Sequence, residues 1–459
     1  MSEHMGQGSK DNQARVQDTA IEGLLIIKLD LHKDARGWFK ENWQRQAFVA
    51  AGLPDFGPVQ NNISFNEKAG VTRGLHAEPW DKFVSVATGA VFGAWCDLRE
   101  GSPTFGATVT QQIEPDTAVF VPRGVANGFQ SLRDATSYTY LVNDHYSPDA
   151  DYTSVNLDMI DWPLEPSEIS DKDRQHPQLA DATPMPPRKI LVTGANGQLG
   201  RALRSILHNR TNVEFCTHED FDITAPPARD WRQYQAIINT AAYNDVNGAE
   251  TDRAGAWAVN ADAPAKLAAI ATEHNLTLVH VSSDYIFDGQ HEIHTEDETA
   301  SPLSAYGASK AAGDTAAQAT PRHYVIRTSW VFGDGSNFIS TMAALARDGK
   351  QPKVVCDQRG RPTYAQDLAR GIVHLLDTSA PYGVYNVSSD GDTASRDEIA
   401  MATFIACGGD PADVTPVTSQ EYGADQARRP AESTLDLSKI KATGFKPSNW
   451  RASLALYLA

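Results

Sequence analysis

From residue 188 onward, short apolar runs alternate with stretches whose apolar residues recur at three- and four-residue spacing. Lys189–Val192 predicts a buried strand, and Leu199, Leu203 and Ile206 mark one face of a following helix. Further strands are predicted at Val213–Thr217, Ala236–Thr240, Leu276–Ser282 and His323–Arg327, and helices at Pro264–Glu273 and Ala308–Gln318. This alternation predicts a doubly wound parallel sheet of the α/β Rossmann kind, with helices on both faces. The stretch from Ile21 to Asp173 follows another period. Phe83–Leu98 alternates on both sides of Gly89, which predicts a hairpin, and Ala118–Pro122 and Ser137–Val142 are two more short strands. Many short strands with frequent Gly and Pro predict an all-β sandwich or small barrel, a jelly roll among them.

Two polar segments frame the β half. Residues 1–20 are expected to form a disordered tail. Arg174–Pro187 has no apolar periodicity, is proline-rich at its end, and reads as a semi-extended connector. The expected boundaries are 1–20 for the tail, 21–183 for the β domain, 184–187 for the end of the linker and 188–459 for the α/β domain.

Composition narrows the function classes. A chain of 459 residues with 41% hydrophobic and 21% charged residues is expected to be an ordinary globular protein of two or three domains. It has no apolar run near the ~18 residues needed to span a bilayer, and its first residues lack the apolar core of a signal peptide. Four scattered cysteines form no C-x-x-C pair, which argues against a zinc site or disulfide framework and fits a reducing, cytoplasmic setting. A formal charge of −18 argues against a nucleic-acid partner. An anionic small molecule then needs a local concentration of arginine and lysine.

In the second half, Gly194, Gly197 and Gly200 punctuate the turn between the first strand and its helix. Such a turn lets backbone approach a pyrophosphate at the helix N-terminus. Alone it is a weak signal. Ser282-Ser283-Asp284 at a strand's carboxyl end, the small residues Ala241 and Ala242 after another, and Tyr306 and Lys310 at i, i+4 strengthen it. An isolated Tyr/Lys pair is usually a surface pair, but with Ser283 and the glycine turn the set is that of the short-chain dehydrogenase/reductase superfamily. Within it, G-A-N-G-Q-L-G, N-T-A-A-Y, S-S-D-Y-I-F-D-G, Y-G-A-S-K, R-T-S-W-V-F-G, P-T-Y-A-Q-D-L-A and R-R-P-A-E-S-T-L-D resemble dTDP-4-dehydrorhamnose reductase. The resemblance implies a reductase with a smaller substrate-binding part, using NADPH or NADH. It implies Tyr306 as proton donor, Lys310 beside it and on the cofactor ribose, and Ser283 polarising the carbonyl. Lys310 and the oxidised cofactor are expected to favour the Tyr306 phenolate. Cofactor contacts are expected from Gly194, Asn196, Gly197, Gln198, Leu199, Gly200, Asp222, Ile223, Ala241, Ala242 and Tyr243, and substrate contacts from Asp284, Trp330, Asn337 and Arg361. Where the family often reads A-x-T-x-V-D-K-A-E, this chain has Tyr243–Glu250 without the lysine. The sequence does not decide between the two cofactors.

In the first half, the residues that interrupt the strands are D-A-R-G-W-F-K-E, Q-N-N-I-S, T-R-G-L-H, D-L-R-E-G-S-P-T-F-G, F-V-P-R-G-V-A-N-G-F, Y-L-V-N-D-H-Y-S-P and D-W-P followed by S-D-K-D. Taken singly, a lone histidine is usually structural and strand tyrosines are usually core. As an ordered set, from about Ile21 to Leu179, they resemble the dTDP-4-dehydrorhamnose 3,5-epimerases, a cupin-type jelly-roll family. Epimerisation beside a ketone needs a base, an electrophile for the enolate oxygen and an acid across the ring. By resemblance His76 is the base, Asp173 orients it, Lys82 steadies the enolate and Tyr140 protonates the other face. Arg36 and Arg73 are the implied diphosphate clamps, with Phe39, Glu41, Gln60, Asn62 and Tyr146 on the nucleotide and sugar. Asn127 stands where the family usually has histidine, and an amide carries no proton at neutral pH. His76 has no histidine near it in sequence, so no metal site is expected. The two halves together predict successive steps on one dTDP-4-dehydro-6-deoxy sugar nucleotide, 3,5-epimerisation and then C4 reduction, in a chain that forms a homodimer through its jelly roll. The alternatives are a chain with one active half, the epimerase being impaired by Asn127, and a cofactor-binding regulatory subunit without catalysis.

Overall fold

Two units divide the chain, one ending at Pro187 and the other beginning at Arg188; the computed structural model describes residues 15–423 and 427–459. In the first unit two antiparallel sheets face each other. One has six strands in the order Arg15–Asp18, Leu25–Lys28, Thr117–Val121, Lys82–Thr88, Thr136–Val142, Gln60–Asn66; the other has five, Thr153–Ser154, Thr72–Ala77, Val125–Ser131, Val91–Asp97, Thr108–Ile113. Between them lies a core that includes Val84, Val86 and Tyr138 from one sheet and Trp95, Val125 and Phe129 from the other. The short helix Arg45–Ala50 brings Phe48 onto the outer face of the first sheet, against Phe83 and Phe120. This is an antiparallel jelly-roll sandwich of the cupin kind.

Three expectations change here. The alternating runs around Gly89 are both strands, but they do not form a hairpin: Lys82–Thr88 pairs with Thr117–Val121 and Thr136–Val142, while Val91–Asp97 pairs in the opposite sheet. Gly89, at φ 79°, is the corner between sheets, and a side chain there would collide with Thr136. Of the expected tail, residues 1–14 lie outside the described residues, whereas Arg15–Asp18 is an edge strand paired with Leu25–Lys28. The expected connector is folded onto the first unit. Ala182 and Met185 are buried in the cluster with Leu75, Cys96 and Leu98, and Met185 bridges to Arg99. Proline fixes an extended backbone, and here that backbone lies against a sheet.

The second unit carries a parallel six-stranded sheet in the order Val213–Cys216, Lys189–Thr193, Tyr234–Asn239, Thr277–Ser283, His323–Thr328, Gly383–Asn386. Strand order reverses beside Lys189–Thr193, which puts the glycine turn at the switch point where open α/β sheets bind ligands. Two apolar clusters cover the faces. Leu199, Leu203, Leu368 and Ile372 lie in one, and Phe221, Leu267 and Ala271 in the other. A smaller part is built by the helices Phe338–Arg347, Arg396–Ala406 and Trp450–Leu458 around Phe332, Ile339, Ile399 and Trp450. No helix is long and apolar enough to cross a membrane among the described residues.

Candidate active sites

A cavity of about 800 Å³ opens between the two sheets of the first unit. His76 and Arg73 enter it from Thr72–Ala77, and Lys82 and Tyr140 from strands of the facing sheet. Asp173 comes from the short helix Asp171–Arg174, whose start is fixed by the Ser170 hydroxyl accepting the Asp173 N–H at 3.1 Å. The Asp173 carboxylate then lies 2.9 Å from His76 Nε2 and accepts the Gly74 N–H at 3.2 Å. Glycine is required at 74, because a Cβ would come within 2.5 Å of Gly128 Cα on the neighbouring strand. Burial alone would raise the Asp173 carboxyl, but the His76 ring and the Gly74 N–H hold it below its ordinary value. With Nε2 engaged, Nδ1 is the His76 nitrogen left for proton transfer. Across the cavity Lys82 is buried and ion-paired with Glu78, and its ammonium lies 5.5 Å from the centre of the Tyr140 ring. Burial pulls the ammonium down to about 7, while the Glu78 carboxylate favours the charged form. Burial raises the Tyr140 phenol, opposed by the charge of Arg73.

The other residues expected here stand apart from the cavity wall. Arg36 lies on the exposed hairpin His32–Asp34/Gly37–Phe39 and pairs with Asp34, and Phe39 is 65% exposed. Glu41 borders a small depression with Leu29, His32 and Phe48. Gln60 donates to Asn62 at 2.9 Å and accepts the Tyr146 N–H at 3.3 Å, so these three gather at the start of an edge strand. Asn127 does line the cavity; it faces His76 in register and accepts the Tyr138 hydroxyl at 3.2 Å. Two neighbours were not anticipated. Glu78, four residues before Lys82, was legible only as a possible charge pair. His176 stacks edge-to-face on His76 with ring centroids 5.0 Å apart, so His76 does have a histidine neighbour, one supplied by the fold.

In the second unit a cleft of about 320 Å³ runs from Gly197–Leu199 past Thr240, Ala242 and Asn244 to Ser283, Asp284, Tyr306, Lys310 and Trp330. Gly194 is at φ 69°, and a Cβ on Gly200 would lie 2.4 Å from the Gly194 carbonyl, so helix Gln198–Ile206 packs directly on the turn. The first helical N–H groups carry no side-chain cap at Gly197, and they face the cleft as an anion-ready terminus. This backbone cradle and donor set fit a dinucleotide. Tyr306 and Lys310 lie on helix Ala305–Gln318, which begins with the Ser304 cap. Lys310 Nζ donates to the Val281 carbonyl at 2.7 Å, and burial pulls it down to about 8 against the charge of Asp314. Ser283 Oγ donates to Asp284 at 3.0 Å, and burial pushes the Asp284 carboxyl up to about 6.

Several expectations are revised by these contacts. Burial and then Asp284 raise the Tyr306 phenol, with the Ser283 hydroxyl offsetting part of this. It therefore stands as a protonated acid. Asn337 caps helix Phe338–Arg347 and spends its amide on the Gly333 and Gly335 carbonyls. Arg361, 8% exposed, is turned inward onto the Leu435 carbonyl and Asp390. Ile223 is core, and Asp222 caps Thr224. Of the cofactor candidates, Gly197, Gln198, Leu199 and Ala242 line the cleft, Gly194 and Gly200 shape its turn, and Ala241 packs behind Gly194. The Asn196 carbonyl accepts from Arg201, and the Tyr243 N–H donates to Asn260. Trp330 sits at φ 47°, an uncommon conformation for a non-glycine residue, and is stacked by Arg396 at 4.2 Å. Arg396 also bonds the Tyr285 hydroxyl at 3.2 Å and opens onto a second cavity of about 730 Å³ with Lys353, Gln358 and Arg429. Arg396 went unread in the sequence, where it is only the residue after a helix cap.

Comparison with known proteins assigns each half. Residues 18–181 match the family described as dTDP-4-dehydrorhamnose 3,5-epimerase, and residues 188–459 match the RmlD substrate binding domain. A protein RmlC homolog of Streptococcus pyogenes is 44% identical over 182 residues, 37% of this chain and 91% of that protein. A dTDP-4-dehydrorhamnose reductase of Mycobacterium tuberculosis is 38% identical over 284 residues, 59% of this chain and 92% of that protein. A solved dTDP-4-dehydrorhamnose reductase of Clostridium acetobutylicum is 36% identical with a TM-score of 0.56, covering 59% of this chain and 98% of that one. One from Bacillus anthracis, solved in complex with NADP, is 32% identical with a TM-score of 0.55 over the same shares. The chain therefore belongs, through its first half, to the dTDP-4-dehydrorhamnose 3,5-epimerase family and, through its second, to the RmlD-type dTDP-4-dehydrorhamnose reductases.

Proposed function

We propose that the chain is a bifunctional enzyme that epimerises dTDP-4-dehydro-6-deoxy-D-glucose at C3 and C5 and then reduces the C4 ketone to give dTDP-L-rhamnose. The observation that carries this reading is the presence in one chain of two complete reactive sets, His76–Asp173 opposite Lys82 and Tyr140, and Ser283 with Tyr306 and Lys310. In the first, His76 Nδ1 takes the carbon-bound proton while Asp173 holds the ring and stabilises its charged form. The Lys82 ammonium meets the enolate oxygen, and the Tyr140 phenol returns a proton from the facing sheet. Burial of these groups in low dielectric strengthens each interaction. Arg73 is the cation placed for the diphosphate, and Arg36 and Phe39 act from outside the cavity of their own chain.

In the second, the Gly194–Gly200 turn and the terminus of helix Gln198–Ile206 hold the diphosphate of NADPH or NADH, and Lys310 holds its ribose. That cofactor supplies the hydride for C4. Ser283 polarises the carbonyl, Tyr306 delivers the proton to its oxygen, and Arg396 with Trp330 steadies the sugar nucleotide. The raised Tyr306 phenol and the lowered Lys310 ammonium suit a site whose added positive charge arrives with the oxidised cofactor. The reading includes a cytoplasmic homodimer joined through the jelly roll. The edge strand Gln60–Asn66 supports that assembly, because it exposes Ile63 and Phe65 at 68% and 57%. Incubating the protein with the ketosugar in deuterated water, with and without NADPH or NADH, tests the whole proposal. Deuterium at C3 and C5 without cofactor, and cofactor oxidation with it, are expected. Neither signal appearing would overturn it, and a monomer by analytical ultracentrifugation would overturn the assembly.

A further inference from the structure

Beside His76 and Asp173 lies a buried imidazole that no step above employs. His176 is 8% exposed, and its ring nitrogens make no hydrogen bond of good geometry; the Gly74 backbone and Asp173, 3.8 Å from Nε2, are the polar groups near it. A buried imidazole so weakly partnered by protein is a group that water or an ion can satisfy. His176 Nε2 lies 3.8 Å from the same Asp173 oxygen that His76 Nε2 meets at 2.9 Å. One nitrogen from each ring and one carboxylate oxygen all fall within 4.8 Å of one another, and no other such group converges among the described residues. Donors bound to a single zinc ion at ~2.0–2.2 Å in a tetrahedron stand roughly 3.3–3.6 Å apart. The two separations from Asp173, 2.9 and 3.8 Å, bracket that spacing. Two imidazoles and a carboxylate are a donor set that zinc and its neighbours favour. The cavity beside them leaves room for water to complete the coordination.

We propose that His76, Asp173 and His176 form a zinc-class metal site whose occupation shuts off the epimerase half. The ion takes the Nε2 lone pair, so the single proton of the neutral His76 ring moves to Nδ1, the nitrogen that must accept the substrate proton. The inhibitory part rests on His76 being the base; the binding part does not. The full chain, stripped with a chelator, is titrated with Zn²⁺ alone against a chromophoric competitor, and with Co²⁺ for its visible absorption. One His176-dependent ion per chain is expected. Deuterium exchange at C3 and C5 should fall in proportion to occupancy and return with EDTA, while reduction of pre-epimerised ketone continues. His176→Ala and the more conservative His176→Asn should each weaken zinc binding by ~10-fold or more and retain exchange in the presence of zinc. Equal zinc affinity in the parent and both variants overturns the site. Zinc held through His176 with exchange undiminished overturns the inhibition, and with it the assignment of His76 as base.

Discussion

Replacing Asp173 by asparagine keeps the shape of the side chain and changes only which atoms donate. The carboxylate now accepts twice, from the Gly74 N–H at 3.2 Å and from His76 Nε2 at 2.9 Å. An asparagine oxygen can satisfy Gly74 only by turning its NH₂ group toward His76. Nε2 must then accept, the ring proton moves to Nδ1, and the nitrogen left to take the substrate proton is blocked. The opposite rotamer sets NH₂ against N–H at a site where the replaced residue is 5% exposed, which costs about 1–3 kcal/mol. The first outcome blocks the base; the second keeps the tautomer but bears that cost and leaves the charged ring without a carboxylate to stabilise it. A tautomer forced the wrong way by this substitution lowers a histidine-dependent rate by ~10⁴ in the serine protease triad, and a loss of ~10³–10⁴ is expected here, about 4–5.5 kcal/mol of barrier. Solvent deuterium entering C3 and C5 without cofactor measures the step, and reduction of pre-epimerised ketone by the same sample checks that the chain is folded. A variant retaining more than about a tenth of the parent rate would refute the tautomer argument.

Tyr306→Phe should lower reduction by ~10² or more and leave deuterium exchange unchanged; loss of both would mean that the two chemistries are not separable. The Lys82 ammonium, pulled to about 7 by burial, is charged below that value and neutral above it, so exchange should decline as pH rises through this region. The rate–pH profile checks this, and Lys82→Met should flatten that limb along with most of the rate. Gly200→Ala puts a methyl 2.4 Å from the Gly194 carbonyl, an overpacking of about 1–3 kcal/mol. It should weaken NADPH binding in a fluorescence titration while the epimerase half is untouched.

Local periodicity made five of the six sheet strands of the second unit legible, and the helices Gln198–Ile206, Ala263–Glu273 and Ala305–Gln318, since most of those apolar runs are buried; the last strand, Gly383–Asn386, and the helices of the smaller part were not read. Tyr306 and Lys310 were legible for the same reason, because i, i+4 is a property of one helix. Periodicity says nothing of partners, however. The runs on both sides of Gly89 have the right alternation, but their assignment to opposite sheets depends on strands 28 to 60 residues away in sequence (Asp97 to Val125, Lys82 to Val142). The segment before Arg188 has too few apolar residues to show a period, yet Ala182 and Met185 suffice to dock it. Arg361 shows the reverse limit: a candidate for the substrate side by resemblance, it is turned by the fold onto the Leu435 carbonyl and Asp390. His76 and Asp173, 97 residues apart, were paired by family resemblance, and only the folded chain adds His176 beside them.

The same distinction bears on Asn127. In the sequence it is a missing proton carrier. In the cavity its side-chain oxygen accepts the Tyr138 hydroxyl, and that buried phenol is raised by its surroundings, so neither group exchanges a proton at neutral pH. Asn127 is paired with His76 in strand register, whereas Asp173 reaches His76 Nε2 from the helix Asp171–Arg174. The base and its orienting carboxylate are thus joined without passing through position 127. The ammonium and the second phenol come from the other sheet, on Lys82 and Tyr140. An epimerisation that needs one base, one electrophile and one acid finds all three in groups that do not include residue 127. A polar, uncharged side chain there keeps Tyr138 paired and adds no charge to the cavity wall, which is compatible with a working first half.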